Sequence, residues 1–201
     1  MTKIKVCGIK RLEDVEYLNE LMPDYAGFVF AQSSRQISKE EGSFLRSRLD
    51  GMIPVVGVFV NENPEVVLDC VEQGIVQMIQ LHGEEGNNYI DFLRRYSAVP
   101  IIKSISITKK EDMDSVRDST ADYVLLDNRS PGSGKKFNWD LVEKIERPFF
   151  LAGGISIDNV EESIHRFKPY GVDSSSSLET DGVKDKKKIK EFIRRIKNVE
   201  R

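Results

Sequence analysis

The amino-acid sequence predicts an α/β fold, a single compact (β/α)8 barrel that occupies all 201 residues. Short, nearly continuous apolar runs rich in β-branched residues recur eight times, which is typical of parallel strands covered on both faces. A polar stretch with helix-like spacing of apolar residues follows each run. The runs begin on average about 24 residues apart, so eight units account for the length of the chain. No linker or low-complexity segment interrupts the pattern, and we therefore expect one domain, 1–201.

The strands are predicted from the apolar runs alone. They cover 4–8, 25–30, 54–60, 78–82, 100–104, 123–127, 149–153 and 171–175. Strand–helix alternation with short connections implies parallel pairing and right-handed crossovers, which close eight strands into a TIM barrel. A doubly wound open sheet is the alternative, but it more often uses fewer units of about 30 residues each.

The helices are predicted from apolar residues at helical spacing. The clearest sets are Val15, Leu18 and Leu21; Val67, Cys70 and Val71; and Ile189, Phe192, Ile193 and Ile196. Ser38 followed three residues later by Glu41 is a capping box, and Pro64 after Asn63 is suited to a first helical position. The fifth helix, over 109–119, has few apolar residues.

Composition excludes several classes of function. The chain has 30 Lys plus Arg against 33 Asp plus Glu, a net charge of −3, whereas nucleic-acid binding normally requires a basic excess. Two cysteines form neither a disulfide framework nor a zinc pattern. No apolar run approaches the ~18 residues that span a bilayer, and the N-terminus lacks the apolar region of a signal peptide. We therefore expect a cytoplasmic protein without nucleic-acid or membrane partners.

Active sites of this barrel form at the carboxyl ends of the strands. The residues placed there are Cys7, the segment from Phe30 to Arg35, Asn61, His82, Lys103, Asp127, Gly153 and Gly154, and the segment from Asp173 to Ser177. Cys7 is either a small buried apolar residue or a base, since a thiol is partly ionised near neutral pH. Asp127 is either a cap for the following turn or a general acid or base. The Gly-rich segment 128–135 after it is predicted to be a mobile loop that closes over substrate.

Two loops are suited to binding phosphate, although a run of serines can also be a solvated linker. Gly153 and Gly154 end the seventh strand, and Ser174 to Ser177 follow the eighth; the loops after these strands are the usual phosphate site of the barrel. Arg35 is suited to a carboxylate. Of the two histidines, His82 is expected only to orient backbone and His165 to lie on the surface, so no metal site is predicted. The basic run from Lys184 to Arg195 is interpreted as a solvated helix face.

An ordered set of motifs carries a resemblance to a known family. They are Lys5-Val6-Cys7-Gly8-Ile9, Gly27-Phe28-Val29-Phe30, Gly57-Val58-Phe59-Val60-Asn61, Gln80-Leu81-His82-Gly83, Leu126-Asp127, Phe137-Asn138-Trp139, Leu151-Ala152-Gly153-Gly154-Ile155, Asn159-Val160, Gly171-Val172-Asp173 and Gly182-Val183-Lys184-Asp185. Together they resemble phosphoribosylanthranilate isomerase of tryptophan biosynthesis over essentially the whole chain. Ser174 and Ser177 stand where Val and Gly are more usual.

The resemblance implies a barrel without cofactor or metal that performs an Amadori rearrangement on a small phosphosugar–anthranilate substrate, as a monomer or homodimer. It implies that Cys7 is the general base and Asp127 the general acid. Arg35 would bind the anthranilate carboxylate. The phosphate-binding segments would supply the remaining contacts, through Gly153, Gly154, Asp173, Ser175 and Ser176.

Two other functions remain open from the sequence. Another phosphosugar barrel, such as indole-glycerol-phosphate synthase, would need a strand-end lysine with glutamates; Lys103 is a candidate lysine, but matching glutamates are missing. A non-catalytic barrel that binds an anionic phosphosugar is the alternative outside enzymes.

Overall fold

The structure is a computed structural model that describes residues 1–127 and 138–199. Eight parallel strands form its centre, and each is hydrogen-bonded to the next, with β8 pairing back to β1 to close the barrel. They are β1 (Lys3–Cys7), β2 (Tyr25–Val29), β3 (Val55–Phe59), β4 (Met78–Leu81), β5 (Ile101–Ser106), β6 (Tyr123–Asp127), β7 (Phe149–Leu151) and β8 (Gly171–Ser174). The predicted fold class is confirmed, and every predicted strand overlaps an observed one.

Helices surround the barrel. The described residues contain α1 (Leu12–Leu21), α2 (Lys39–Arg48), α3 (Pro64–Glu72), α4 (Asn87–Tyr96), α5 (Asp112–Asp118), α6 (Val160–Phe167) and α7 (Lys186–Val199). Between β6 and β7, the described part of the chain has only a 3₁₀ turn, Trp139–Leu141, so the prediction of a helix after every strand is wrong there as far as the structure describes it. The predicted loop 128–135 and Phe137 lie outside the described residues.

Local sequence explains where the helices begin. Ser38 accepts a hydrogen bond from the backbone of Glu41, and the Glu41 carboxylate accepts one from the backbone of Ser38, so both predicted halves of the capping box are confirmed. Pro64 is the first residue of α3, where its missing N–H has no intrahelical partner to lose. The four apolar positions predicted for the last helix are all buried in α7.

The side chains of the barrel interior change from apolar to polar along the barrel axis. Side chains alternate across each strand, and one set fills the lower interior: Val56, Met78, Ile102, Leu125 and Phe150, with Ala152 just after β7. Two residues further along β4, β5 and β6, the inward positions are polar: Gln80, Ser104 and Asp127. Lys5 on β1 and Asp173 on β8 are polar as well, and all five are buried. A second, larger apolar cluster lies between the strands and the helices. The polar end of the interior is where the strands end, and it positions the candidate site.

A two-stranded hairpin after β8 has no counterpart in the sequence prediction. Its strands are β9 (Glu179–Thr180) and β10 (Val183–Lys184), which pair antiparallel. The turn between them uses Asp181 and Gly182, both with positive φ. This hairpin brings two charged residues, Glu179 and Lys184, to the carboxyl end of the barrel.

Candidate active site

Cys7 ends β1 and is buried at the mouth of the barrel. Its neighbour across the sheet is Gly27, and a Cβ on Gly27 would lie 2.6 Å from the Cys7 Sγ. The glycine therefore leaves the space that the sulfur occupies. Burial raises the pKa of the Cys7 thiol, while the charge of Lys5 acts against that rise. The sequence expectation that Cys7 lies at the strand tip is met.

A buried ion pair lies directly beside the thiol. Lys5 and Asp173 are register partners on β1 and β8, and the Lys5 Nζ donates to the Asp173 Oδ2 at 2.6 Å. Lys5 has no exposed surface. The other carboxylate oxygen of Asp173, Oδ1, is buried and has no hydrogen-bond partner among the described residues. The pair thus presents one unoccupied acceptor in the barrel interior.

Asp127 ends β6 and belongs to a polar network on the opposite side of the mouth. The His82 Nε2 lies 3.3 Å from the Asp127 Oδ2 and 3.5 Å from the Ser104 Oγ. The Gln80 Nε2 lies 2.9 Å from the His82 Nδ1. With the Gln80 amide nitrogen as donor, the Nδ1 accepts, so that the ring proton is on Nε2 and faces Asp127. The expectation that His82 only orients backbone is wrong, because its ring contacts the carboxylate.

Arg35 is held over the mouth by Glu179. Its Nε and Nη2 donate to the two carboxylate oxygens of Glu179 at 2.7 and 2.8 Å. The Nη1 of Arg35 makes no hydrogen bond within residues 1–127 and 138–199, so the Nη1/Nη2 edge remains available for an anion. Gly8, at a φ of 83°, leaves room for the Arg35 side chain, since a Cβ there would collide with the Arg35 Cδ.

Lys184 links this arginine to the strand ends. It is almost fully buried, and its Nζ donates to the Glu179 Oε1 at 2.5 Å and to the Ser175 carbonyl at 3.1 Å. Burial acts to raise the pKa of Glu179, but hydrogen bonds and charges from Arg35 and Lys184 outweigh it and lower that pKa to about 2. The interpretation of Lys184 as part of a solvated helix face is wrong: it precedes α7, and the hairpin turns it inward.

The loops after β7 and β8 present backbone donors. Gly153 and Gly154 have φ values of 69° and 83°, a conformation that favours glycine. Ser175 and Ser176 follow β8 at the start of a 3₁₀ turn, Ser176–Leu178. No hydrogen bond within the described ranges uses the backbone N–H of any of these four residues. Such a set of free N–H groups is suited to a phosphate group.

The unusual serines stabilise these loops rather than facing the mouth. The Ser174 Oγ and the Ser177 Oγ both donate to the Ile155 carbonyl, at 2.9 and 2.7 Å, and so join the β8 loop to the β7 loop. The Ser175 Oγ donates to the Cys7 carbonyl at 3.0 Å. The phosphate-suited loops are therefore fixed to each other and to the strand that carries the thiol.

Several residues of the candidate site were not predicted from the sequence. Lys5 offered a signal, since it is a charged residue in an apolar strand, two positions before Cys7 and so on the same face. Gln80 offered the same signal relative to His82. Glu179 and Lys184 offered none, because their roles depend on a tertiary hairpin. Lys103, the candidate lysine of the alternative enzyme, instead binds Glu85 and the Gly83 carbonyl and thereby fixes the loop after β4.

The described residues contain neither a cluster suited to a metal ion nor a helix suited to span a membrane. In 1–127 and 138–199, no group of three or more His, Cys, Asp or Glu is placed to hold a metal ion. No helix of that part of the chain has the length and apolar character required to cross a bilayer.

Comparison with known proteins gives a consistent family. The family model of N-(5'-phosphoribosyl)anthranilate isomerase matches residues 4–195. The isomerase of Thermoanaerobacter sp. (strain X514) is 43% identical over 205 residues, covering 99% of this chain and 100% of that protein.

Solved structures of members of the same family resemble this structure. The isomerase of Thermotoga maritima has a TM-score of 0.88 at 35% identity, over 98% of this chain and 100% of that one. A phosphoribosylanthranilate isomerase in complex with reduced 1-(o-carboxyphenylamino)-1-deoxyribulose 5-phosphate has a TM-score of 0.83 at 33% identity, with the same coverage. With its closed barrel and polar mouth, the chain belongs to the N-(5'-phosphoribosyl)anthranilate isomerase family.

Proposed function

We propose that Cys7 and Asp127 are the base and the acid of the reaction that this family performs. That reaction, in tryptophan biosynthesis, converts N-(5-phosphoribosyl)anthranilate to 1-(2-carboxyphenylamino)-1-deoxyribulose 5-phosphate. The observation that carries the proposal is the placement of the two groups. The thiol ends β1 and the carboxylate ends β6, and β7 and β8 lie between them in the barrel wall, with loops suited to phosphate. The proposed acid and the proposed base therefore lie at the same end of the barrel and face the same opening.

Asp127 acts in the first step. It donates a proton to the furanose ring oxygen, the bond from that oxygen to C1′ breaks, and the nitrogen lone pair forms a protonated Schiff base at C1′. The His82 Nε2 lies 3.3 Å from the Asp127 Oδ2. A neutral imidazole that donates there orients the carboxyl group and stabilises the carboxylate left by proton transfer.

Cys7 acts in the second step. Its thiolate removes the proton from C2′, and the electron pair of that bond moves to reduce the positive charge on the Schiff base, which gives an enolamine. The enolamine tautomerises to the ketone, with a proton added at C1′ and one lost from the C2′ hydroxyl. Solvent then returns a proton from the Cys7 thiol to Asp127, so that the net change is an isomerisation. A positioned acid or base typically contributes ~10²–10⁴ in rate.

The remaining residues hold the substrate between the two groups. The free Nη1/Nη2 edge of Arg35 binds the anthranilate carboxylate, since a guanidinium edge pairs with a carboxylate through two hydrogen bonds. Backbone N–H groups of Gly153, Gly154, Ser175 and Ser176 bind the phosphate. The Asp173 Oδ1 accepts from a ribose hydroxyl. Fixing both ends of the substrate positions the ribose, which is a large part of catalysis.

The chain then acts on a small molecule, in the cytoplasm, as a monomer or a homodimer. Size-exclusion chromatography with light scattering distinguishes the two oligomeric states.

Turnover of N-(5-phosphoribosyl)anthranilate by three purified proteins tests the proposal: wild type, Cys7→Ala and Cys70→Ala. Cys70 is the matched control, since it is buried in α3, away from the strand ends. We expect Cys7→Ala to lose at least about 10²-fold in kcat while its thermal unfolding is close to that of wild type. Cys70→Ala should keep its turnover. Near-wild-type turnover by Cys7→Ala would falsify the proposed role of the thiol.

A further inference from the structure

We propose, on the premise that Cys7 is the base, that Lys5 is a positioning residue whose buried ammonium is the counter-ion of the Cys7 thiolate, with Asp173 holding that ammonium in place. Lys5 and Cys7 are two residues apart on β1, so both side chains point into the barrel. The Lys5 ammonium donates to the Asp173 carboxylate at 2.6 Å, and its positive charge acts on the Cys7 thiol from the same strand.

A contribution to the stability of the fold does not explain why Lys5 is buried. Its side chain has no exposed surface, and its partner Asp173 has only 8% exposed. Taking two charges out of water costs several kcal/mol per ion, and apolar residues of similar volume often give an equally stable core. The inward positions one layer lower, such as Val56 and Ile102, are apolar. A charge at this point in the barrel is therefore better explained by its electrostatic effect on a neighbouring group.

Among the residues that the structure describes, four charged groups act on Cys7, and they are not equivalent. Lys5 lies on β1, the strand of Cys7, and Asp173 lies on β8, while the charges of Arg35 and Lys184 act on the thiol from the β2 loop and from β10. Arg35 and Lys184 both bind the Glu179 carboxylate, so one negative charge offsets part of their positive charge. Of these cations, Lys5 lies on the same face of β1 as Cys7 and acts most strongly to lower the pKa of the thiol, and its own partner Asp173 acts to raise that pKa.

These contacts fix the direction of each effect. Burial raises the pKa of Cys7, the charge of Lys5 lowers it, and the charge of Asp173 raises it. Removing the lysine charge leaves a buried thiol next to a carboxylate, and both features oppose ionisation. Removing the aspartate charge instead leaves the ammonium with the thiolate as its nearest anion. Loss of the Lys5 charge should therefore raise the pKa of Cys7, and loss of the Asp173 charge should lower it. General loosening of the barrel would not shift the pKa in opposite directions in the two variants.

The pH profile of Cys7 alkylation by iodoacetamide tests the proposal. It is measured in a Cys70→Ala background, so that Cys7 is the one cysteine of the chain. The variants are Lys5→Met, Lys5→Arg and Asp173→Asn. Circular dichroism and thermal unfolding identify the folded variants.

We expect Lys5→Met to raise the alkylation midpoint by about one pH unit or more, which is a tenfold or larger loss of thiolate at neutral pH. Its kcat for N-(5-phosphoribosyl)anthranilate should fall in proportion, with a smaller change in KM. Lys5→Arg should retain a midpoint near that of the parent, because it keeps the charge. Asp173→Asn should lower the midpoint.

A folded Lys5→Met with an unchanged midpoint would overturn the proposal. So would an Asp173→Asn midpoint that rises, and this second variant decides the matter if Lys5→Met does not fold. Both readouts are independent of catalysis, so they separate this role of Lys5 from the role of Cys7 as base, which the turnover of Cys7→Ala tests.

Discussion

The Nε2 of His82, just after β4, lies 3.3 Å from the Oδ2 of Asp127 at the end of β6, with β5 between these two strands in the barrel wall. On the other side of the imidazole, the Gln80 amide is hydrogen-bonded to the Nδ1. The ring is therefore fixed between an amide below it and a carboxylate in the mouth, with its proton on the side of the carboxylate. This arrangement places a lone histidine where it can orient the Asp127 carboxyl group.

His82→Ala should lower kcat by about 10- to 100-fold with a smaller change in KM, because it removes a group that orients Asp127 without touching the groups that bind the ends of the substrate. Steady-state kinetics over a range of pH measure this. His165, exposed on α6, is the matched control, and His165→Ala should behave as wild type. An equal loss in both variants would contradict the assignment.

Lys184→Met should raise KM strongly, because Lys184 holds both the Ser175 carbonyl, in the loop proposed to bind phosphate, and the Glu179 carboxylate that holds Arg35. Removing one partner of a buried charge pair also destabilises a protein, by about 3–5 kcal/mol in measured cases. KM and urea unfolding are the measurements. Lys190→Met, an exposed position of α7, is the control. If Lys184→Met folds and keeps its KM, the two binding regions do not depend on this lysine.

Glu179 makes stability depend on pH in acid. Its pKa is lowered from 4.5 to about 2 in the folded protein, so its ion pairs stabilise the fold fully above about pH 4.5. That contribution is lost as the pH falls from about 4.5 through about 2, because the unfolded chain takes up the proton first. Glu179→Gln should therefore lose less stability than wild type between pH 6 and pH 3.

Urea midpoints at pH 6, 4 and 3 measure this difference. Glu72→Gln, at an exposed position of α3, should follow the wild-type decline. A Glu179→Gln decline as steep as that of wild type would show that the Glu179 ion pairs do not contribute to acid sensitivity.

Gly27→Ala should reduce turnover and destabilise the fold by about 1–3 kcal/mol, because overpacking displaces neighbours. Its Cβ would lie 2.6 Å from the Cys7 Sγ and 2.8 Å from the Cys7 Cα, so the thiol must move. At Gly51 the Cβ would meet nothing within 4 Å, and Gly51→Ala should change neither activity nor stability. Turnover and thermal unfolding are measured for both, and an unaffected Gly27→Ala would mean that the thiol position is not restricted by β2.

The strand order and the positions of the candidate site residues at the strand ends could be predicted because both follow from local patterns. Apolar runs mark the strands, and the rule that strands of this barrel end at the active face places Cys7, Asp127 and the serine run together. The residue types there suit a base, an acid and an anion-binding loop. Resemblance to the family then supplied the substrate.

Other residues could not be predicted because their environment is tertiary. Glu179 is 144 positions from Arg35, and a short hairpin brings it there. Lys184 begins a basic run that continues into an amphipathic helix, so its sequence context indicates solvent, yet the hairpin turns it inward. Lys5 is the intermediate case: its position on the strand predicts which way it points, but only the structure shows which anion receives its charge.

The division of the proton transfers between Cys7 and Asp127 is tested most directly by the kinetic isotope effect on turnover of N-(5-phosphoribosyl)anthranilate deuterated at C2′. In Cys7→Ser, a weaker acid–base group makes abstraction from C2′ slow, and we expect a primary isotope effect on kcat. In Asp127→Asn, ring opening becomes slow and precedes that abstraction, so no isotope effect is expected. A primary isotope effect of the same size in both variants would contradict the assignment of base and acid.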